Sequence, residues 1–172
     1  MSAPDSLFDT SAWIALTFPA HPLHASAKGE FAAISAGHRV CFCRATQQSF
    51  LRLLTNDRVM APFGLPPLSN HDALLTLDRY MAHRSVGFIG EPDNVFARWQ
   101  AFADAPTPSP NRWMDAYLAA FAIEARLQFV TGDRGFKSYA GLNPIVLDAP
   151  GSAATARTST PPAAPGGGSS TP

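Results

Sequence analysis

Three aspartates carry the chemistry that this chain offers, each in its own local setting. Asp9 closes the apolar start Ser6-Leu7-Phe8 and is followed by Thr10-Ser11. Asp115 opens a helix-like run that continues through Ala116, Tyr117 and Leu118 to Ala122. Asp133 follows the β-like segment from Leu127 to Thr131, in Thr131-Gly132-Asp133-Arg134-Gly135. Two of these places are strand ends and one is a helix start, where an α/β sheet gathers its functional groups. Carboxylates crowded together repel one another unless a hard divalent cation holds them, and Mg²⁺ and Mn²⁺ prefer oxygen ligands. Such an ion suits phosphodiester hydrolysis, since it lowers the pKa of a water and takes up charge on phosphoryl oxygens. Taken singly, each acid also has a structural reading. Asp9 is a natural N-cap, Asp115 a first-turn acid favoured by the helix dipole, and Asp133 an ordinary turn residue.

The elements that must position these acids alternate between strand and helix patterns. Ser6–Phe8 reads as a strand, with a short helix from Trp13 to Thr17 that ends before Pro19. A helix is expected over His24–Ser35 and a strand over Arg39–Cys43. Thr46–Leu54 reads as a helix with Thr46 as its cap and Phe50, Leu51, Leu53 and Leu54 as an apolar stripe. Ser69–Ala82 is expected to be a helix capped by Ser69, with Ala73, Leu74, Leu77, Tyr80 and Met81 on one face. Pro62–Pro67 reads as a loop before it. A strand over Val86–Ile89, helices over Asn94–Ala103 and Asp115–Arg126, and strands over Gln128–Thr131 and Pro144–Leu147 complete the pattern. Strands alternating with helices imply a mainly parallel sheet covered on both faces.

Length and composition bound the rest. The 172 residues suggest one domain over about 1–150, and 46% apolar residues are enough for a core. Residues 151–172 are Ala, Thr, Ser, Pro and Gly in the main, a composition expected to form a disordered tail. Lys+Arg and Asp+Glu balance at 13 each, so net charge selects no partner. The cations are mostly arginines, whose planar fork suits phosphate, and Arg112 and Arg134 flank the acids most closely. Cys41 and Cys43 lie on one strand, a poor geometry for a disulfide, and read as buried thiols of a reducing cytoplasm. No signal peptide and no membrane-spanning run is expected. The five histidines are scattered and pair with no nucleophile, and no phosphate-binding glycine loop is present. Trp13, Trp99 and Trp113 are read as packing residues that also have the faces to stack on bases.

Four blocks in this order resemble the PIN-domain family, specifically its VapC-type ribonuclease toxins of prokaryotic toxin–antitoxin pairs. They are Leu7-Phe8-Asp9-Thr10-Ser11, the segment Cys43–Asn56, Trp113–Ala120, and Val130–Phe136. The resemblance covers about Leu7 to Leu147. It implies a three-layer α/β/α domain in which acids converge on Mg²⁺ or Mn²⁺. Asp9 and Asp115 are the implied metal ligands, with Asp133 binding directly or through water. Thr10, Ser11 and Thr131 would support the site with hydroxyls, and Arg112 and Arg134 are candidates for RNA phosphate. It further implies a metal-dependent endoribonuclease, a homodimer, and a cognate antitoxin protein.

Two positions depart from the family pattern. Gln47 stands where many relatives carry glutamate, and Gly135 where many carry a further acid. Gln47 offers a carbonyl oxygen but no charge, which predicts weaker metal binding. A catalytically weakened PIN domain that binds RNA or protein is therefore the alternative reading. A phosphatase using Asp9 as nucleophile is a third, although Ser11 occupies the place where that chemistry wants a second aspartate.

Overall fold

A computed structural model describes residues 4–149. The expected tail, 151–172, lies outside the described residues. The first strand, β1 (Ser6–Phe8), is followed by helices α1 (Thr10–Thr17) and α2 (His24–Ser35). Next come β2 (Val40–Phe42), α3 (Arg44–Leu54), and a short helix α4 (Asp57–Met60) that runs into a 3₁₀ turn, Ala61–Phe63. Then α5 (Asn70–Met81), β3 (Val86–Phe88), α6 (Val95–Ala103) and α7 (Arg112–Glu124) lead to β4 (Gln128–Thr131). A 3₁₀ helix, Arg134–Ser138, and β5 (Ile145–Val146) finish the described chain.

The five strands form one sheet in the order β3-β2-β1-β4-β5, and every pairing is parallel. The expected three-layer architecture is present. Successive side chains on a strand point to opposite faces, so the central strands β1 and β4 feed two cores. Phe8, Val40, Phe42 and Val130 pack with α1, α2, α3 and α5 on one face. Leu7 and Phe129 pack with α6 and α7 on the other. Trp13 belongs wholly to the first core, where its ring stacks on Phe42 with centroids 3.8 Å apart.

The order of the strands fixes where function gathers. The chain leaves β1 to build β2 and β3 on one side, and returns to build β4 and β5 on the other. The carboxyl ends of β1 and β4 therefore flank a topological switch point, where the loops diverge and leave a crevice. A helix that leads into a parallel strand runs back across the sheet, so the N-terminus of α7 lies at this same edge.

Several boundaries differ from the sequence expectation. Helix α3 begins earlier, with Cys43 rather than Thr46 as N-cap; Thr46 is the N3 residue whose hydroxyl accepts from the Cys43 N–H at 3.0 Å. Helix α7 starts at Arg112, which places Asp115 in its first turn rather than at its opening. Part of the region read as loop coils into the Ala61–Phe63 turn, closed by Gly64 at φ +68°. Leu74 does not join the buried face of α5: it is 50% exposed, while Ala73 and Leu77 point inward. Ser69 caps α5 as expected, accepting from the Asp72 N–H at 3.1 Å.

Candidate active site

Asp9 sits one residue past β1 and serves two roles at once. It is the N-cap of α1: its Oδ1 accepts from the Ala12 N–H at 3.0 Å. The same oxygen accepts from the Ser11 hydroxyl at 2.6 Å. Its other oxygen, Oδ2, accepts from the buried Thr131 hydroxyl at the end of β4. Asp9 is only 5% exposed. Burial pushes its carboxyl above the ordinary value, against the lowering by the Ser11, Thr131 and Ala12 donors. The fold thus keeps a desolvated carboxylate at the crevice floor, with three donors on it and lone pairs left over.

The hydroxyls that hold Asp9 also tie the two strand ends together. Ser11 Oγ accepts from the Gly132 N–H at 2.7 Å, and Thr131 Oγ accepts from the Asp133 N–H at 2.9 Å. Gly132 is required by a close approach. A Cβ there would lie 2.9 Å from Leu23 Cδ1 and 3.0 Å from Ser11 Oγ. Asp133 is exposed and caps the following 3₁₀ helix, accepting from the Gly135 N–H at 2.7 Å.

Asp115 is half-buried on the first turn of α7. Its carboxyl is raised above the ordinary value, first by burial and then by the charges of Asp133 and Asp9. Asp115 thus feels the negative charge of both other acids. All three line a single open cleft of about 760 Å³, together with Thr10. Asp115 also borders a second cavity of about 210 Å³, shared with Arg112 and Gly135.

The structure does not bring every expected residue into the cleft. Gln47 is 7% exposed and shares the inward face of α3 with Phe50 and Leu54. Its Oε1 accepts from Arg44 at 2.9 Å and its amide nitrogen contacts Met81 Sδ at 3.6 Å. The cleft face of α3 is instead the row Ala45, Ser49, Arg52. On a helix with 3.6 residues per turn, Gln47 falls out of phase with that row. Arg112 lies beside the cleft, with Nε donating to the Phe102 carbonyl at 2.8 Å. Arg134 is paired with Asp148 at 2.8 Å. Arg52, by contrast, is exposed on the cleft wall facing outward from α3. Sequence reasoning missed Ser49 and Arg52; their spacing from Ala45, at four and seven residues, was the available signal.

The donor set suits a hard cation: carboxylate oxygens from Asp9, Asp115 and Asp133, with hydroxyls behind them. Among the described residues, however, no three His, Cys, Asp or Glu side chains form a cluster able to hold an ion by themselves. Mg²⁺ does not require such a cluster, since it keeps several waters and is commonly held by one or two carboxylates. The residues present fit that mode.

The sequence profile of the PIN domain matches residues 6–142. The chain belongs to the PIN-domain family. This PIN domain is 42% identical over 137 residues to Ribonuclease VapC41 of Mycobacterium tuberculosis, a match spanning 79% of this chain and 94% of that protein. Its fold also overlays on VapBC2 from Rickettsia felis, solved bound to a DNA fragment from their promoter. That overlay has a TM-score of 0.61 at 11% identity and covers 83% of this chain and 98% of the other. A second overlay is on VapC20 of Mycobacterium tuberculosis, described as a sarcin-ricin loop cleaving toxin. It has a TM-score of 0.57 at 18% identity and covers 83% of this PIN domain and 99% of that one. At such identities the two overlays speak for the fold alone. Among the described residues of this PIN domain, no helix is long and apolar enough to cross a membrane.

Proposed function

We propose that this PIN domain is an endoribonuclease dependent on Mg²⁺ or Mn²⁺, and that it is the toxin of a toxin–antitoxin pair. The observation that carries this reading is the desolvated Asp9 carboxylate, held by three donors and facing Asp115 and Asp133 across one cleft. Three carboxylates at one place are costly without a cation, and burial of Asp9 adds to that cost. Similarity to a protein named as a ribonuclease supports the substrate class.

In this reading Asp9 and Asp115 would hold the cation, and Asp133 would bind it directly or through water and orient the attacking water. A cation held there would lower the pKa of a bound water and offset charge on the phosphoryl oxygens. Ser11, Thr131 and the Ala12 N–H favour the ionised form of Asp9 against the effect of its burial and fix its orientation. Thr10 lines the cleft beside Asp9 and adds a hydroxyl toward substrate or water. Arg52 contacts an RNA phosphate from the α3 wall, a role for which it is better placed than Arg134. Arg112 serves the smaller cavity on the far side of Asp115. Gln47 acts in packing α3 against α5, through Met81, and not on the cation. The partners in this reading are RNA, a second copy of the chain, and a cognate antitoxin.

The weakened-site alternative draws on Gln47 facing the core and on Gly135 lacking a carboxylate. The phosphatase reading loses ground, because both Asp9 oxygens are engaged and Ser11 is committed to Asp9 and Gly132. The deciding experiment is cleavage of total cellular RNA by purified protein with Mg²⁺ or Mn²⁺, beside a chelator and Asp115→Asn. Discrete fragments absent from both controls are the expected result. Folded protein that neither cleaves nor binds Mn²⁺ sinks the enzyme reading and leaves the binding module.

A further inference from the structure

Aromatic side chains line the same cleft as Arg52 and the acids. Trp113, two residues before Asp115 on α7, is 59% exposed and lines the cleft with Met114, itself 43% exposed. A large indole face left open beside acids is unusual, because such a side chain ordinarily hides its area. Its position is not loose. Trp99 donates its indole N–H to the Trp113 carbonyl at 2.9 Å and packs edge-on to the Trp113 ring, with centroids 6.3 Å apart at 73°. Trp99 is steadied in turn by Tyr117 at 5.9 Å and 89°, and Tyr117 donates its hydroxyl to Glu91 at 2.6 Å. With Trp99 packed at 73° to it, the Trp113 ring remains largely exposed to the cleft.

We propose that Trp113 is a stacking platform for a nucleobase of single-stranded RNA, next to the phosphodiester held at Asp9 and Asp115. This rests on the ribonuclease reading above and names the form of its substrate. Sequence-tolerant recognition of single strands combines a cation on the backbone with an aromatic face under a base. Arg52 on α3 and Trp113 on α7 supply those two parts in the one cleft that the acids also line. Bases inside a duplex are stacked on their neighbours, so a base reaches Trp113 only from a loop, bulge or end. An apolar protein segment is the competing occupant of an exposed indole. The placement of Trp113 within the acidic cleft, rather than on a separate face, favours the nucleotide.

The test uses the full chain carrying Asp115→Asn, to prevent cleavage, and short single-stranded RNA oligomers with 2-aminopurine moved through successive positions. Stacking on Trp113 quenches the 2-aminopurine fluorescence at one position. Adding Trp113→Ala is expected to abolish that quenching, Trp113→Phe to keep part of it, and Phe88→Ala, an exposed aromatic outside the cleft, to leave it intact. With Asp115 restored, Trp113→Ala is expected to raise KM about 10-fold with little change in kcat, as loss of uniform binding requires. Melting curves establish that each variant folds. Quenching that survives Trp113→Ala overturns the proposal, as does RNA that binds without quenching or does not bind at all. An active parent enzyme without Trp113-dependent quenching defeats the stacking role and spares the ribonuclease reading. An inactive parent that shows such quenching does the reverse.

Discussion

Thr131→Val probes the joint on which the whole site depends. Thr131 is fully buried at the end of β4, and valine replaces its hydroxyl with a methyl of nearly the same shape. Two hydrogen bonds are lost. One is donated to the Asp9 carboxylate, and the other is accepted from the Asp133 N–H at 2.9 Å. A bond to a charged group contributes about 1.5–3 kcal/mol and a neutral one about 1 kcal/mol, so the expected loss is about 2.5–4 kcal/mol. For a chain of this size each kcal/mol moves the melting temperature about 2–4 °C, which places the drop at about 5–15 °C. The removed donor had lowered the Asp9 pKa, so the variant raises it further. The acid limb of the cleavage profile should therefore move to higher pH. Thr131→Ser keeps the hydroxyl and should restore that limb while remaining somewhat less stable. The assays are thermal unfolding and cleavage rate against pH. A Thr131→Val protein that melts within about 1 °C of the parent, with an unmoved acid limb, refutes the claim that this hydroxyl holds Asp9.

Other perturbations have equally definite outcomes. Gly132→Ala drives a Cβ into Leu23 and Ser11 and should cost both stability and activity; Leu23→Ala in the same chain should relieve the nearer of the two clashes, and a Gly132→Ala protein as stable as the parent contradicts the close approach. Arg52→Ala should lower RNA affinity and reduce the slope of log affinity against log salt by about 0.7, the value for one phosphate on a single strand; an unchanged slope removes Arg52 from the backbone contact. Asp9→Asn tests the charge itself in the presence of chelator. Because burial holds the Asp9 pKa above its unfolded value of 3.8, its contribution to stability is present below about that pH and is lost as pH rises through the folded value. Asp9→Asn should thus melt at or above the parent at neutral pH without metal, and below it in saturating Mg²⁺; the opposite order in chelator would show that burial is not the dominant influence on Asp9.

The acids were legible because local punctuation marks them. Asp9 and Asp133 each follow an apolar strand, and Asp115 falls in the first turn of an alanine-rich helix, so short windows of sequence carry the information. The strand-helix alternation likewise announces a parallel sheet. What depends on helical phase was less legible. Gln47 and Ser49 are two residues apart, yet one packs under α5 and the other faces the cleft. No composition rule separates them until the start of α3 is fixed, and Cys43 is a weak cap signal. Leu74 shows the same limit: the apolar stripe of α5 is broader than the surface the core needs. Arg134 sits beside Asp133 in sequence but is engaged by Asp148, which a linear reading does not see.

The order β3-β2-β1-β4-β5 also sets a clock. β1 has no neighbour on its β4 side until nearly the whole domain has been synthesised, for the hydroxyl that grips Asp9 comes 122 residues later. At translation rates of about 5–20 residues per second, that interval is about 6–24 seconds. Throughout it the nascent chain has Asp9 without the Thr131 latch, and for most of it without Asp115. A message cut short before Val130 would yield a fragment whose central strand has an open edge and whose acid is unheld. The threaded order of the sheet thus makes the ribosome itself a delay line: whatever this chain does to RNA, it does only after release of its last strands.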